Sequence, residues 1–324
     1  MTPIDWGVVA LFLVANVVVG LWFSRRAGKS TADFFVAGRS IPWWLAGTSM
    51  LATSFASDTP LHTTRAIREG GLSAAWFYWG SAIGGLVVAF VFAKLWRRAG
   101  VVTDNEFIEL RYAGKPAAAL RGGLALFKVL FLQILTMGWI TLGMTKIVRA
   151  ILDLPATIAL PVVGVEAPTD ALVVAALMSF ALLFSAVAGL WAVVATDVIE
   201  FSVAMLGAIV LCVVAVHKIG GIDALHAALP AQTFSIMPKL DDAAAAFAFS
   251  VYLGVQWWSN NEIDGTGQRA QRFLACKDEK NAIAAGIWNM AVQWIIRSWP
   301  WYLAALASLV LYPHLDDAET AYPK

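Results

Sequence analysis

The sequence is poor in charged residues, cysteine and histidine, and each shortage excludes a class of protein. Charged residues make up 14% of the 324 residues, and their formal charges sum to +1. Such a chain lacks the basic surface that holds a nucleic-acid backbone by counterion release, so nucleic acid is not an expected partner. The two cysteines, Cys212 and Cys276, show no metal-ligand spacing. No nucleophile, metal cluster or acid–base pair indicates an enzyme.

Apolar residues are abundant instead, at 60% of the chain against roughly 45–50% in soluble domains. A helix of roughly 20 apolar residues crosses a hydrocarbon layer of about 30 Å and satisfies its own backbone there. The composition therefore predicts an all-α polytopic protein with one transmembrane domain in the lipid bilayer. The expected spans are 4–24, 41–65, 72–96, 122–148, 170–189, 191–217, 243–259 and 282–312.

Lysine and arginine are concentrated in alternate loops between these spans. The basic loops follow the first, third and seventh spans, whereas the other loops are more acidic. Short cytoplasmic loops carry the excess of basic residues. This pattern predicts a multi-pass protein of the inner cell membrane with its N-terminus outside.

The second span, 41–65, is interrupted by hydroxyl, acidic and proline residues, which predicts a broken helix. An unwound stretch at this depth would present carbonyl oxygens to a small cation. Asp58 is then a candidate for direct contact with an ion or a substrate. Alternatively, Asp58 caps the second half of the helix by accepting hydrogen bonds from its free amides.

Other side chains inside or beside the spans are also candidates, since an unpaired charge there costs several kcal/mol. Asp197 lies about two turns into the sixth span. It either lines an ion route or is a carboxylate stabilised by the helix dipole. Arg297 lies halfway along the last span and needs an anion, either a substrate carboxylate or an internal partner such as Asp58. Trp257 and Trp258 are pocket candidates because polar residues follow them.

Four segments, taken in order, resemble one known family. They are DFFVAGRSIPWW at 33–44, EFIELRY at 106–112, GLWAVVATD at 189–197 and QRFLACKDEK at 271–280. Together they resemble the sodium:solute symporters, which include bacterial proline and pantothenate carriers and the sodium–glucose transporters.

This resemblance implies a LeuT-like core of inverted five-helix repeats preceded by one extra helix, with alternating access around a midplane site. Sodium is then the coupling ion, and the backbone carbonyls of Ala52 and Phe55 are the matching ligands. The resemblance also places Asp58 where some members have a cation-linked carboxylate. Thr59 matches a substrate-contacting position of sugar carriers, and Asp197 matches an acidic position on the ion route.

The last residues of the chain resemble the external loop before the eighth core helix. The C-terminal helices of the family, which complete its sodium site, are therefore expected to be absent from this sequence. The expected function is sodium-coupled symport of a small organic solute. Arg297, which lies within a residue of a ligand contact in sugar carriers, favours an amino acid or a carboxylate. The alternative is a membrane-embedded solute sensor domain of a signalling protein.

Overall fold

A computed structural model describes residues 2–27, 30–152, 154–160, 165–259 and 263–323, and these are mostly helical. The first half contains α1 (Pro3–Ala27), α2 (Thr31–Val36), α3 (Trp43–Thr53), α4 (Asp58–Gly70), α5 (Leu72–Ala99), α6 (Phe107–Arg111) and α7 (Gly114–Ile151). The second half contains β1 (Thr157–Leu160), β2 (Val165–Pro168), α8 (Thr169–Ala186), α9 (Ala188–Ile219), α10 (Ile222–Ala228), α11 (Ala243–Gln256), α12 (Gln268–Ala275) and α13 (Glu279–Leu311).

Within the described residues, six helices are long and apolar enough to cross a membrane, namely α1, α5, α7, α8, α9 and α13. Their outward faces carry large apolar side chains such as Leu11, Leu135 and Leu182, each about 70% exposed. Lipid is the environment in which such faces are stable. At the seventh predicted span, α11 is a shorter apolar helix. The number of spans in the membrane stays a prediction.

The second predicted span is two helices, and the predicted break is confirmed. The first helix, α3, ends at Thr53, residues 54–57 are not helical, and α4 begins at Asp58. Pro60 lies in the first turn of α4. Backbone N–H groups in the first turn of a helix have no partner within the helix, so proline costs no hydrogen bond there. The proline therefore starts the second helix without disturbing it.

The buried core surrounds α3, which packs against α9, α12 and α13. One cluster of buried side chains joins Ile41 before α3 to Phe273 of α12 and to Trp96 of α5. The loop before α3 also pairs with the end of α12, since the Ile41 nitrogen donates to the Ala275 carbonyl and the Ile41 carbonyl accepts from Lys277. This packing fixes α12 against the start of α3.

Gly189 separates α8 from α9. Its φ of 64° and ψ of 173° define a conformation that is essentially restricted to glycine. The long apolar segment 169–219 is thereby divided into the two helices that the sequence predicts.

The hairpin β1–β2 is the one strand pairing in the described part of the chain. It is antiparallel, with Thr157 opposite Pro168 and Leu160 opposite Val165. The hairpin lies between the predicted spans 122–148 and 170–189, where the sequence analysis assigned no element. The fold is helical as predicted, with this hairpin added between α7 and α8.

Candidate functional site

The break between α3 and α4 leaves backbone oxygens available. The Ala52 carbonyl accepts from the Phe55 nitrogen at 2.9 Å. No hydrogen bond to the Phe55 carbonyl occurs among the residues that the structure describes. A carbonyl oxygen has two lone pairs, so both groups can still coordinate a cation. These are the two carbonyls that the sequence analysis predicted as sodium ligands.

Asp58 is the first residue of α4, and its carboxylate faces α7. Its Oδ2 accepts from Trp139 Nε1 at 2.7 Å, while Oδ1 is buried and has no partner among the described residues. No backbone amide of α4 donates to this side chain within the described chain. The capping alternative is therefore not the arrangement observed. One oxygen of a carboxylate beside the break remains unsatisfied.

A cavity of about 900 Å³ opens on the α4 side of the break. Asp58, Thr59, His62, Tyr78 and Trp139 are among the residues that line it. The cavity is thus bounded by two predicted site residues and by aromatic rings. It is large enough for a small organic solute, because ligand pockets typically measure roughly 300–1,000 Å³.

Arg297 lies at the other side of the break and, among the described residues, does not pair with Asp58, which was one of the two alternatives for its partner. Its Nη1 donates to the Ser54 carbonyl at 3.1 Å and to Ser54 Oγ at 2.7 Å. The guanidinium also lies 5.8 Å from the ring of Phe55 and 5.2 Å from that of Trp301. A wider turn of the helix at Val292–Arg297 directs this side chain toward the break.

No carboxylate forms an ion pair with Arg297 in the described part of the chain, although the residue is only 5% exposed. Its Nε is buried and has no hydrogen-bond partner among the described residues. Neutral carbonyls and aromatic rings therefore stabilise the guanidinium. Its positive charge is not neutralised by an anion.

A second, polar pocket lies along the turns of α13 that precede Arg297, and the sequence analysis missed it. Gln293, Asn289 and Ser81 line a space of about 140 Å³ together with Trp257. Gln293 and Asn289 precede Arg297 by four and eight residues, so the helical spacing could have indicated a shared face. Trp258, in contrast, is 60% exposed and lines none of the cavities described here.

Asp197 lies in a buried cluster with Arg272, another residue that sequence reasoning missed. Asp197 accepts a hydrogen bond from Ser49 Oγ, and Arg272 Nη2 is 3.5 Å from the same carboxylate oxygen. The pairing replaces the helix dipole as the main partner of Asp197. Arg272 lies in the segment 271–280 that resembles the family, and nothing in its spacing indicated that it reaches α3.

A model of the sodium:solute symporter family matches residues 34–299. The chain belongs to this family. Membership confirms the resemblance drawn from the four sequence segments. It also assigns the chain to a class of transporters and not of enzymes, as the sequence analysis predicted.

Relatives in the symporter family include sodium/glucose cotransporters. The protein of Vibrio parahaemolyticus is 29% identical, over 99% of this chain and 61% of its own length. Sodium/glucose cotransporter 1 of Oryctolagus cuniculus is 28% identical, over 68% of this chain and 31% of its own length. The chain thus spans less than two thirds of the relatives it matches.

Among solved structures, a Na⁺-coupled sialic acid symporter in a substrate-bound outward-open state has a similar fold. Its TM-score is 0.74 at 19% identity, and the match covers 99% of this chain and 65% of that one. This likeness confirms the predicted LeuT-like architecture of the symporter family. At such low identity it concerns the fold alone.

Proposed function

We propose that this protein is a sodium-coupled secondary transporter that moves a small organic solute across the membrane by alternating access. The observation that carries the proposal is the unwound stretch 54–57, which lies next to a large cavity and between two half-helices. Discontinuous helices of this kind form ion and substrate sites in secondary transporters. Family membership supports the same function.

The proposed ion site uses the backbone carbonyls of Ala52 and Phe55, with Na⁺ as a transported substrate. Both oxygens have a lone pair available, and oxygen ligands suit a hard cation. The unsatisfied Oδ1 of Asp58 supports a role in tuning the site, since a nearby carboxylate lowers the energy of a bound cation. Asp197 is proposed to lie on the route by which the ion leaves.

The proposed substrate carries a carboxylate, as an amino acid or an organic acid does. Arg297 supports this class, because a buried guanidinium without an acidic partner can bind a carboxylate through two parallel hydrogen bonds. Thr59 in the large cavity and Trp257 beside the polar pocket are the further proposed contacts. We leave Trp258 outside the site because it is 60% exposed and lines neither cavity.

We further propose a single transmembrane domain in the inner cell membrane, with the N-terminus outside. The basic loop residues Arg97 and Arg98 support this orientation, since both lie at the end of α5 that would face the cytoplasm. The mouth of the large cavity, on the α4 side of the break, would then open outward.

Uptake by the full-length protein in proteoliposomes tests the proposal. A panel of amino acids, organic acids and neutral sugars is offered with an inward Na⁺ gradient or with K⁺ alone. We expect Na⁺-dependent uptake of a carboxylate, and loss of that uptake in Asp58→Ala and Arg297→Ala. Arg98→Ala is the control, because Arg98 forms an exposed ion pair with Glu279.

Uptake of neutral sugars alone, with Arg297→Ala unaffected, would contradict the proposed substrate class. Uptake that is equal in Na⁺ and K⁺ would contradict sodium coupling. Na⁺-dependent binding without any uptake would instead favour the sensor domain considered in the sequence analysis.

A further inference from the structure

Arg272 of α12 is a buried cation to which the proposed function assigns no role. It is only 5% exposed. Its Nε donates to Ser49 Oγ at 3.0 Å, and its Nη2 donates to Thr53 Oγ1 at 3.1 Å. Both acceptors belong to α3. A side chain from another helix therefore reaches the last turn of the half-helix that precedes the break.

The charge of Arg272 is directed at one carboxylate. Asp197 of α9 is the acid that pairs with it among the described residues, at 3.5 Å from Nη2 to Oδ2. The hydroxyl of Ser49 lies between the two charges, because it accepts from Arg272 and donates to Asp197. The cluster thus joins α3, α9 and α12 through one buried ion pair and one shared hydroxyl.

This cluster directly adjoins the proposed ion ligands. Thr53 lies between Ala52 and Phe55 in the chain, so its hydroxyl contact with Arg272 is next to the carbonyls that would bind Na⁺. The carboxylate of Asp197, the proposed ion-route residue, already forms an ion pair with the Arg272 guanidinium. A sodium ion and the guanidinium cannot both lie against the same carboxylate oxygen without strong repulsion at such short range.

The backbone of α12 is held in place independently of this side chain. The Ala275 carbonyl accepts from the Ile41 nitrogen at 3.0 Å, and the Lys277 nitrogen donates to the Ile41 carbonyl at 3.0 Å. Arg97 Nε also donates to the Cys276 carbonyl at 2.7 Å. Release of Asp197 therefore requires the Arg272 side chain to move, while its helix can stay fixed.

We propose that Arg272 is a positioning residue that closes the ion route by acting as a tethered cation on Asp197. It excludes sodium from Asp197 in the conformation described here. An ion that leaves by this route must displace the guanidinium from Asp197. This inference rests on the proposed sodium-coupled function and adds a residue to which the sequence analysis gave no role.

Equilibrium binding of radiolabelled sodium to the purified full-length protein tests the inference. In Arg272→Gln the competitor is absent, so the half-saturating sodium concentration should fall by about tenfold, a size typical of coupling between sites. Arg272→Lys keeps the charge but loses the forked geometry, so its value should lie between those of the wild type and Arg272→Gln. Arg98→Gln is the matched surface control and should bind sodium as the wild type does.

Arg272→Gln leaves Asp197 buried without its partner, so folding is checked by gel filtration and thermal unfolding. If Arg272→Gln does not fold, Arg272→Lys and the double variant Arg272→Gln/Asp197→Asn carry the test. The double variant should not show the gain in sodium affinity, because the Asp197 carboxylate that pairs with Arg272 is then absent. A purely structural role for Arg272 predicts lower yield with unchanged sodium affinity.

The outcomes separate the inference from the function on which it rests. If the wild type binds no sodium, the proposed sodium-coupled function is contradicted together with this inference. If the wild type binds sodium and the folded Arg272 variants have the same affinity, only the role of Arg272 is contradicted.

Discussion

At the scale of single residues, two arginines contact the break from opposite sides. Arg297 contacts the Ser54 carbonyl on one side, and Arg272 contacts the Thr53 hydroxyl on the other. Asp197 partners Arg272, whereas no acid partners Arg297 in the described part of the chain. The proposed carboxylate substrate would supply the acidic partner that Arg297 lacks among these residues.

Gly143 of α7 allows the close approach of that helix to Asp58. A Cβ at this position would lie 3.1 Å from the Asp58 Cα and 3.2 Å from its nitrogen. We expect Gly143→Ala to lower the free energy of unfolding by roughly 1–3 kcal/mol, because neither backbone can easily move. The measurement is thermal unfolding in detergent.

The matched control is Gly138→Ala on the same helix, where no atom lies within 4 Å of the added Cβ. Alanine there should be neutral or stabilising by roughly 0.5–1 kcal/mol, since glycine weakens a helix interior. Equal effects of the two substitutions would contradict the close contact between Gly143 and Asp58.

Cys276, at the end of α12, should not react with thiol reagents in the folded protein. Its side chain is fully buried, and burial raises the pKa of its thiol to about 12. The reactive thiolate is therefore scarce at neutral pH. In a Cys212→Ser background, we expect N-ethylmaleimide to modify Cys276 only after denaturation. Rapid labelling of the folded protein would show that α12 is not packed as described.

At the scale of elements, a short turn, Ala318–Ala321, is held against α4 and α7. Lys146 of α7 donates to Asp317 at 2.8 Å and to Glu319 at 2.5 Å. His62 Nδ1 of α4 lies 3.1 Å from the same Glu319. The turn therefore connects two helices that line the large cavity.

This connection should weaken in acid. The hydrogen bond from Lys146 holds the pKa of Asp317 below its ordinary value of 3.8. A lowered pKa in the folded state gives a stabilisation that is complete above the ordinary value and is lost as the pH falls below it. Asp317→Asn should therefore lower the unfolding temperature at neutral pH, and the difference from wild type should shrink as the pH falls below about 4.

Asp316→Asn is the control for this experiment, because Asp316 is an exposed neighbour. It should behave as the wild type throughout the titration. A difference between wild type and Asp317→Asn that stays constant with pH would contradict the ion pair.

The helices and the break could be predicted because their causes are local. Apolar runs predict α1, α7 and α9, and the hydroxyl residues with Pro60 indicate where the second span unwinds. The partners of Arg297 could not be predicted, because Ser54 is 243 residues away in sequence and meets it only through helix packing. We expected the buried Arg297 to need an anionic partner. In the structure, the guanidinium instead donates hydrogen bonds to Ser54 at the break.

The same limit applies to Arg272 and Gln293. Arg272 reaches Thr53 across 219 residues, and Gln293 meets Ser54 across 239. The residues next to each of them in sequence do not indicate these contacts. Helical spacing could have placed Gln293 on the face of Arg297, but no local pattern could have directed Arg272 toward α3.

At the scale of the whole molecule, the two sides of the break differ. The α4 side opens into a cavity of about 900 Å³, whereas the α3 side is closed by the buried cluster that contains Ile41 and Phe273. Alternating access requires an end state with one open and one closed side. In this account, the packed cluster and the Arg272–Asp197 pair together close the side opposite the cavity.

Hydrogen exchange of the full-length protein in Na⁺ and in K⁺, read by mass spectrometry, tests the central claim most directly. We predict slower exchange in Na⁺ for peptides that cover residues 50–60, because a bound ion orders the amides around the Ala52 and Phe55 carbonyls. Peptides of the hairpin β1–β2 should exchange alike in both salts. Identical exchange of residues 50–60 in Na⁺ and K⁺ would contradict a sodium site at the break.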